Sequence, residues 1–420
     1  MVTPGSRGPG HPGGPGRAGR PGRDGRLWQA WPGAVLALGL ASAALAGCAG
    51  GGHPAAGSSH SAAASASPAG ASDGPAGTPE SALTFCPVKP TRGMRKALNR
   101  TVPKSLSGEV VPLGMSRGGK TVYVSTWTSG FSGVAALNLA SGHVRAIHAF
   151  RDSNSDQADG SSGGRWVAWE ETYSLRSLDY FTVYAWDSAT GRLLKIGHSI
   201  KGRGGTPYPS PWHPPAVSGH FAAWAQGYGP GNKVEIRLAN LATGQVKVVR
   251  TGHTQPPFFD KNLLVWPESD QPGTQTTLHA INVTTGRTAP LPPVLRAVHG
   301  TDFVVSDGTR TAYFSPNLNS LLYSPAQNRE AQVALHLPAG AYFADLALGP
   351  GTLAWTTTAA TYLASTKTGA YIQVTRQYGD AVGSGSSVLI SDAPSRKAPH
   401  PILPMHVISP GHLTWPSCSV

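Results

Sequence analysis

From about residue 109 onward, short apolar runs alternate with glycine-marked turns, and two patterns recur. The first is a short apolar strand ending in tryptophan: Val124-Ser125-Thr126-Trp127, Val167-Ala168-Trp169, Ala222-Ala223-Trp224, Leu264-Val265-Trp266 and Leu353-Ala354-Trp355. The second follows it, a strand running into a turn closed by glycine: Ala136 to Gly142, Ala185 to Gly191, Leu238 to Gly244, Ala280 to Gly286 and Leu363 to Gly369. Short hairpin loops commonly end on a residue with positive φ, which glycine adopts without steric cost. Asn138, Asp187, Asn240 and Asn282 can start the turn by bonding their own backbone. An alternating strand resumes after each glycine, as in Gln245 to Val249, so each unit reads as a small antiparallel meander. Weaker copies pair Phe303-Val304-Val305 with Leu321 to Asn328, and Val388-Leu389-Ile390 with Val407 to Gly411, which brings the count to seven. Turn glycines recurring about every 40 to 55 residues, with strand chemistry between them, predict an all-β fold, a β-propeller whose blades bury each other's faces. Seven blades are expected, with six as the alternative, and the strand-ending tryptophans read as core between blades.

Pro215-Ala216-Val217-Ser218-Gly219 before Ala222-Ala223-Trp224 resembles a blade of the TolB-like propellers, and Gln255 to Asp260 before Leu264-Val265-Trp266 resembles one in part. The resemblance spans residues 109–420. It implies a domain that works through protein contacts.

The first 80 residues have a different composition. Residues 1–26 and 49–80 are low-complexity Gly, Pro, Ala and Ser and carry almost no large apolar side chain. Arg7, Arg17, Arg20, Arg23 and Arg26 precede an uncharged stretch from Trp28 to Ala46, the order of a secretion signal. Leu45-Ala46-Gly47-Cys48 at its end resembles the lipobox of bacterial lipoproteins. That resemblance implies a signal peptide over residues 1–47, acylation of Cys48 and a place on the extracytoplasmic side of the cell membrane, with the bilayer as first partner. Residues 48–80 cannot bury enough apolar surface to fold and read as a flexible tether. Residues 81–108 form an N-terminal segment with a short basic helix between Thr91 and Asn99, and the propeller occupies 109–420. Within the exported chain two cysteines remain, Cys86 and Cys418. An oxidising compartment favours a bridge between them, two free thiols being the alternative.

The net charge of +13 includes five Arg and one Asp of the leader; without them it falls by four, to +9. A moderate excess of this kind favours anionic lipid head groups or wall polymers. It forms no concentrated basic stripe, so nucleic acid is not an expected partner.

No HExxH, G-x-S-x-G, CxxC or Walker pattern occurs in the folded part, and no catalytic residue is assigned. Candidate binding residues come from the long connections on one face of the ring: Glu170, Glu171, Tyr173, Asp179, Tyr180, Tyr228, Glu268 and Asp270. Asp152 to Gly160 offers Asp152, Asn154, Asp156 and Asp159 as a weak calcium loop, with Gln157 where an EF-hand needs Gly. No other cofactor is expected.

These features predict an anchored propeller that binds a ligand, an envelope protein or a wall-associated molecule without chemistry of its own. The alternatives are an exported hydrolase or lactonase-type enzyme with a metal or carboxylates at the channel mouth, and a modulator of a membrane sensor or wall-synthesis complex. Converging carboxylates with shifted pKa, or a bound ion, would mark the enzyme; an exposed aromatic or apolar patch would mark the binder.

Overall fold

The computed structural model describes residues 83–98 and 108–418, except 129, 153–156, 174–178, 212, 232, 272–274, 302, 377, 386 and 392–404. The proposed signal peptide, Cys48 and the tether lie outside the described residues, as do Asn154 and Asp156.

Seven antiparallel meanders follow one another along the described chain: blades 1 (108–149), 2 (157–198), 3 (216–254), 4 (258–289), 5 (304–336), 6 (343–373) and 7 (381–408). Strands are lettered A to D from the axis outward. The A strands touch their neighbours in turn around the ring, and strand A of blade 7 (Ala381–Gly383) meets strand A of blade 1 (Gly108–Met115). The chain is therefore an all-β propeller of seven blades. A–B and C–D connections lie on one face, the turn face; B–C and D–A connections lie on the other, the loop face. Where A strands converge, side chains do not fit: a Cβ on Gly383 would collide with the Leu348 carbonyl oxygen, and one on Gly163 would lie 2.5 Å from that of Val217.

Strand register explains the tryptophans. The B strands begin at Thr121, Trp166, Phe221, Leu263 and Thr352, each paired with the residue that starts the C–D turn: Asn138, Asp187, Asn240, Asn282 and Ser365. Three residues further on stand Val124, Trp169, Trp224, Trp266 and Trp355, all buried between blades. Trp127 is six residues along and half-buried, so blade 1 carries valine at the tryptophan position. In blade 5, Val304–Ser306 is the inner strand A; strand B is Thr311–Phe314, with Phe314 in the tryptophan position. The turns close as the sequence suggests: Asn240 Oδ1 accepts from Ala242 N and Thr243 N, and Gly244 has φ 80°.

Glu109 to Leu113 lies in strand A of blade 1, hydrogen-bonded to strand B of the same blade. Blade 7 has three described strands, and the helix Arg92–Leu98 covers its outer edge, burying Met94 and Leu98 beside Ala381, Val388, Ile390 and Ile408. The His406 imidazole Nδ1 meets the Leu98 carbonyl oxygen there. Just before the helix, Cys86–Pro87 adds a parallel fifth strand to blade 6, beside Ala370–Gln373, and Cys86 is bridged to Cys418. Blade 4 also departs from the regular pattern. The ten-residue strand D of blade 3 (Gln245–Thr254) reaches across to its strand B, and the helical turn Pro293–Arg296 buries Val294 and Leu295 against it. All hydrophobic clusters of the described residues draw their members from Leu83 to Trp415, within one compact unit.

Candidate functional site

The A strands of blades 2 and 6, and the connection into blade 7, each bring one aspartate to the loop-face end of the axis: Asp159, Asp345 and Asp380. The first two are held alike, each accepting the amide of the following residue: Gly160 N to Asp159 Oδ1 at 2.8 Å and Leu346 N to Asp345 Oδ1 at 2.7 Å. Asp345 Oδ2 also accepts Ala381 N from the next blade at 3.0 Å. Asp380 faces Ser391 across its hairpin, and Ser391 N donates to the Asp380 carbonyl at 3.0 Å. Directly opposite Asp159 on strand B is Glu170, 1% exposed, with neither carboxylate oxygen hydrogen-bonded among the described residues. At the same strand B position, blade 1 has Ser125 and blade 6 has Thr356, both buried and both with unpartnered hydroxyls. Among the described residues, Ser125, Glu170 and Thr356 thus leave buried polar atoms near the mouth without a hydrogen-bond partner.

These carboxylates perturb one another. Burial pushes Asp159 up to about 6, opposed by the Gly160 amide and helped by the charge of Asp345. Burial, then the charges of Asp345 and Asp159, carry Asp380 up to about 7. Burial also raises Asp345, and burial with the charge of Asp159 raises Glu170 well above the usual carboxylate range. Tyr378, two residues before Asp380, feels the same three aspartates and has its phenol pKa pushed far up, chiefly by burial. The three aspartates are surrounded by protein yet still touch solvent. Burial without a counter-ion is what favours their protonated forms. Among the described residues, no three Asp, Glu, His or Cys side chains come close enough together to hold one metal ion.

The candidates drawn from sequence are dispersed around this centre. Glu170 and Asp159 belong to it, although both stand on strands and not in loops. Asp159 lies in strand A of blade 2 (Gln157–Gly163), and Asp152 precedes that strand on the exposed surface. Glu171 is buried on the other face of the blade, 2.9 Å from His148 Nε2, close enough for an ion pair but not aligned as a hydrogen bond. Tyr173 lies beneath the Arg151 guanidinium, 5.1 Å away, and its amide donates to the Tyr180 carbonyl. Asp179 Oδ1 accepts Ser210 N at 3.0 Å, fixing the connection from blade 2 to blade 3. Glu268 is tied to Arg250 Nε at 2.9 Å and to the Trp266 indole at 3.1 Å. Those bonds hold its pKa down against burial, which raises it. Tyr228 and Asp270 stand on the exposed rim. Sequence reasoning did not find Asp345, Tyr378 or Asp380. An available signal was positional: Asp159, Asp345 and Asp380 each precede the A–B turn glycine of their blade (Gly164, Gly351 and Gly385) by five or six residues.

The fold and site define a seven-bladed β-propeller with an acidic channel mouth. No protein-family model matches the chain, and no curated protein matches it. Among solved structures it is similar to an oligogalacturonate lyase in complex with manganese, at 10% identity over 74% of this chain and 92% of that one, with a TM-score of 0.50. A prolyl endopeptidase structure matches at 15% identity over 76% of this chain, with a TM-score of 0.46; the chain spans about half of that protein, 49%. A putative TolB from Agrobacterium tumefaciens matches at 12% identity over 54% of this chain and 80% of that one, with a TM-score of 0.35. At this identity the likeness to the lyase shows the fold alone.

Proposed function

We propose that this is a lipid-anchored extracytoplasmic propeller, held by acylated Cys48, whose working site is the loop-face mouth of its channel. There it binds a ligand carrying positive charge, such as the amine or guanidinium of a peptide, an envelope protein or a wall-associated molecule. One observation carries the reading: Asp159, Glu170, Asp345 and Asp380 converge, and among the described residues no cationic side chain is paired with them. An ammonium group entering the mouth supplies the missing counter-charge and meets several acceptors at once. Among the described residues no three acidic, His or Cys side chains come close enough to hold one metal ion, and an organic cation with several donors can reach carboxylates set further apart.

A second reading has its own support. Asp159 near 6 and Asp380 near 7 are poised for general acid–base work at neutral pH, which favours an exported hydrolase or lyase. On the criterion set from the sequence, converging carboxylates of shifted pKa belong to this enzyme reading. The large exposed apolar side chains, by comparison, are scattered over blades 2, 3 and 5 and two loop-face tyrosines, Tyr228 and Tyr342.

Thermal unfolding of residues 82–420 at pH 8 with the diamine putrescine, with arginine amide and with calcium tests the first reading. The organic cations are expected to raise Tm in the wild type and not in Asp159→Asn/Asp380→Asn. Equal shifts in both proteins, or none with any cation, overturn it.

A further inference from the structure

The face opposite the acidic mouth has the reverse character. Its short A–B and C–D turns expose Lys120, Arg165, Arg192, Lys261, Arg287 and Lys367, drawn from blades 1, 2, 4 and 6. Among the described residues, the acidic side chains at this end are Asp187, Asp260, Asp307 and Glu330. Asp187 is buried and paired with Arg165 at 3.0 Å, and Asp307 is paired with Arg310. Asp260 is buried and accepts the Ser306 hydroxyl at 2.9 Å. Glu330 is exposed, so among the described residues basic side chains outnumber acidic ones on the solvent-facing surface of this side. An open hollow between the A–B turns of blades 1 to 3 has Arg117, Arg165, His220 and Trp166 on its walls.

The chain also arrives on this face. Cys86 N donates to the carbonyl of Gly369, the C–D turn glycine of blade 6, and Leu83 and Thr84 lie against the same glycine, two residues from Lys367. The segment leading back to Cys48 thus joins the propeller at its turn face. That segment is about 35 residues long, and a coil of that length would span about 30 Å on average. The acidic mouth lies on the far side of the ring.

We infer that the turn face is a membrane-apposed surface that takes the phosphate head groups of anionic phospholipids, so that the acidic mouth faces away from the bilayer. The tether argument rests on the anchor reading above; the charge argument stands without it. Lysine and arginine near an anionic surface each strengthen binding about fivefold, and the attraction decays within a Debye length, about 8 Å at physiological salt.

The test is co-sedimentation of residues 82–420, which carry no acyl chain, with vesicles of phosphatidylcholine alone or mixed with phosphatidylglycerol. Binding is expected only to the mixed vesicles and is expected to disappear at high salt. Lys120→Ala/Arg192→Ala/Arg287→Ala should weaken it about 100-fold. Lys201→Ala/Arg203→Ala/Lys233→Ala, on the loop face, should leave it unchanged. No preference for the anionic vesicles, or equal losses in the two variants, overturns the inference. So does binding to poly(glycerol phosphate) with none to vesicles, which would assign the face to a wall polymer. Mass spectrometry of the N-terminal peptide from the native envelope reads the anchor separately: an unmodified Cys48 removes the anchor and leaves the vesicle result standing.

Discussion

The two faces of this ring carry opposite charge and hold it in opposite ways. On the loop face, carboxylates are brought inward to the axis, where inner strands crowd them together with little water, and burial pushes them toward neutrality. On the turn face, lysines and arginines stand outward on two- to five-residue turns, while three of the four acidic residues described among them, Asp187, Asp260 and Asp307, are buried or paired and Glu330 is exposed. The difference follows from connection length. A tight turn cannot fold back over the axis, so its side chains remain in water; the connection from blade 6 to blade 7 is long enough to deliver Tyr378 and Asp380 to the mouth. One scaffold thus gathers buried carboxylates at one end and exposes basic side chains at the other.

The contrast requires a rigid ring, and the largest expected effect comes from breaking it. Trp355 is fully buried between Phe85, 5.6 Å away, and Tyr362, also 5.6 Å away. Trp355→Ala should lower stability by about 3–5 kcal/mol in a denaturant titration. Opening the bridge with Cys86→Ser/Cys418→Ser should lower it by about 2–5 kcal/mol, and a reductant should shift wild-type Tm but not that of the variant. That loss concerns the turn-face end, where the chain enters, and should leave cation binding at the mouth intact.

A smaller effect isolates the mouth. Aspartate titrates near 3.9 in the unfolded chain, and Asp380 near 7 in the folded one. Between those values the folded state holds the extra proton, so stability falls as pH rises from about 4 to 7 and stays lower above that range. Thermal unfolding should therefore give a higher Tm at pH 5 than at pH 8. Asp380→Asn should raise Tm at pH 8 by about 2 °C and flatten the profile. A flat wild-type profile would mean that the mouth is already neutralised. The smallest effect should come from Glu268→Gln: Arg250 is 51% exposed in that pair, and the loss should stay below about 1 kcal/mol by double-mutant cycle.

The architecture was legible because it is written locally. The C–D turns of blades 1 to 4 each have their own Asn or Asp and their own glycine, and Trp169, Trp224, Trp266 and Trp355 mark one register position in four blades. Closure was not legible, because the helix Arg92–Leu98 and the Cys86–Pro87 strand meet blades 6 and 7 across nearly the whole chain, and nothing in either segment names its partner. The site was half legible for a related reason. Glu170 and Asp159 stood out as part of acidic local runs. Asp345 and Asp380 are single aspartates in apolar surroundings and gain meaning only when the ring brings three blades to one point. Glu268 and Asp179, conspicuous in sequence, proved to be structural partners of Arg250 and the Ser210 amide.

The most direct test of the account is calorimetric titration of putrescine into residues 82–420 at pH 6.5, in two buffers of different ionisation enthalpy. If the ligand enters among half-protonated carboxylates, binding releases protons, the observed heat differs between the buffers, and the difference vanishes in Asp159→Asn/Asp380→Asn. Binding with the same heat in both buffers, or no binding by the wild type, would contradict the claim that the acidic mouth is where this protein takes its ligand.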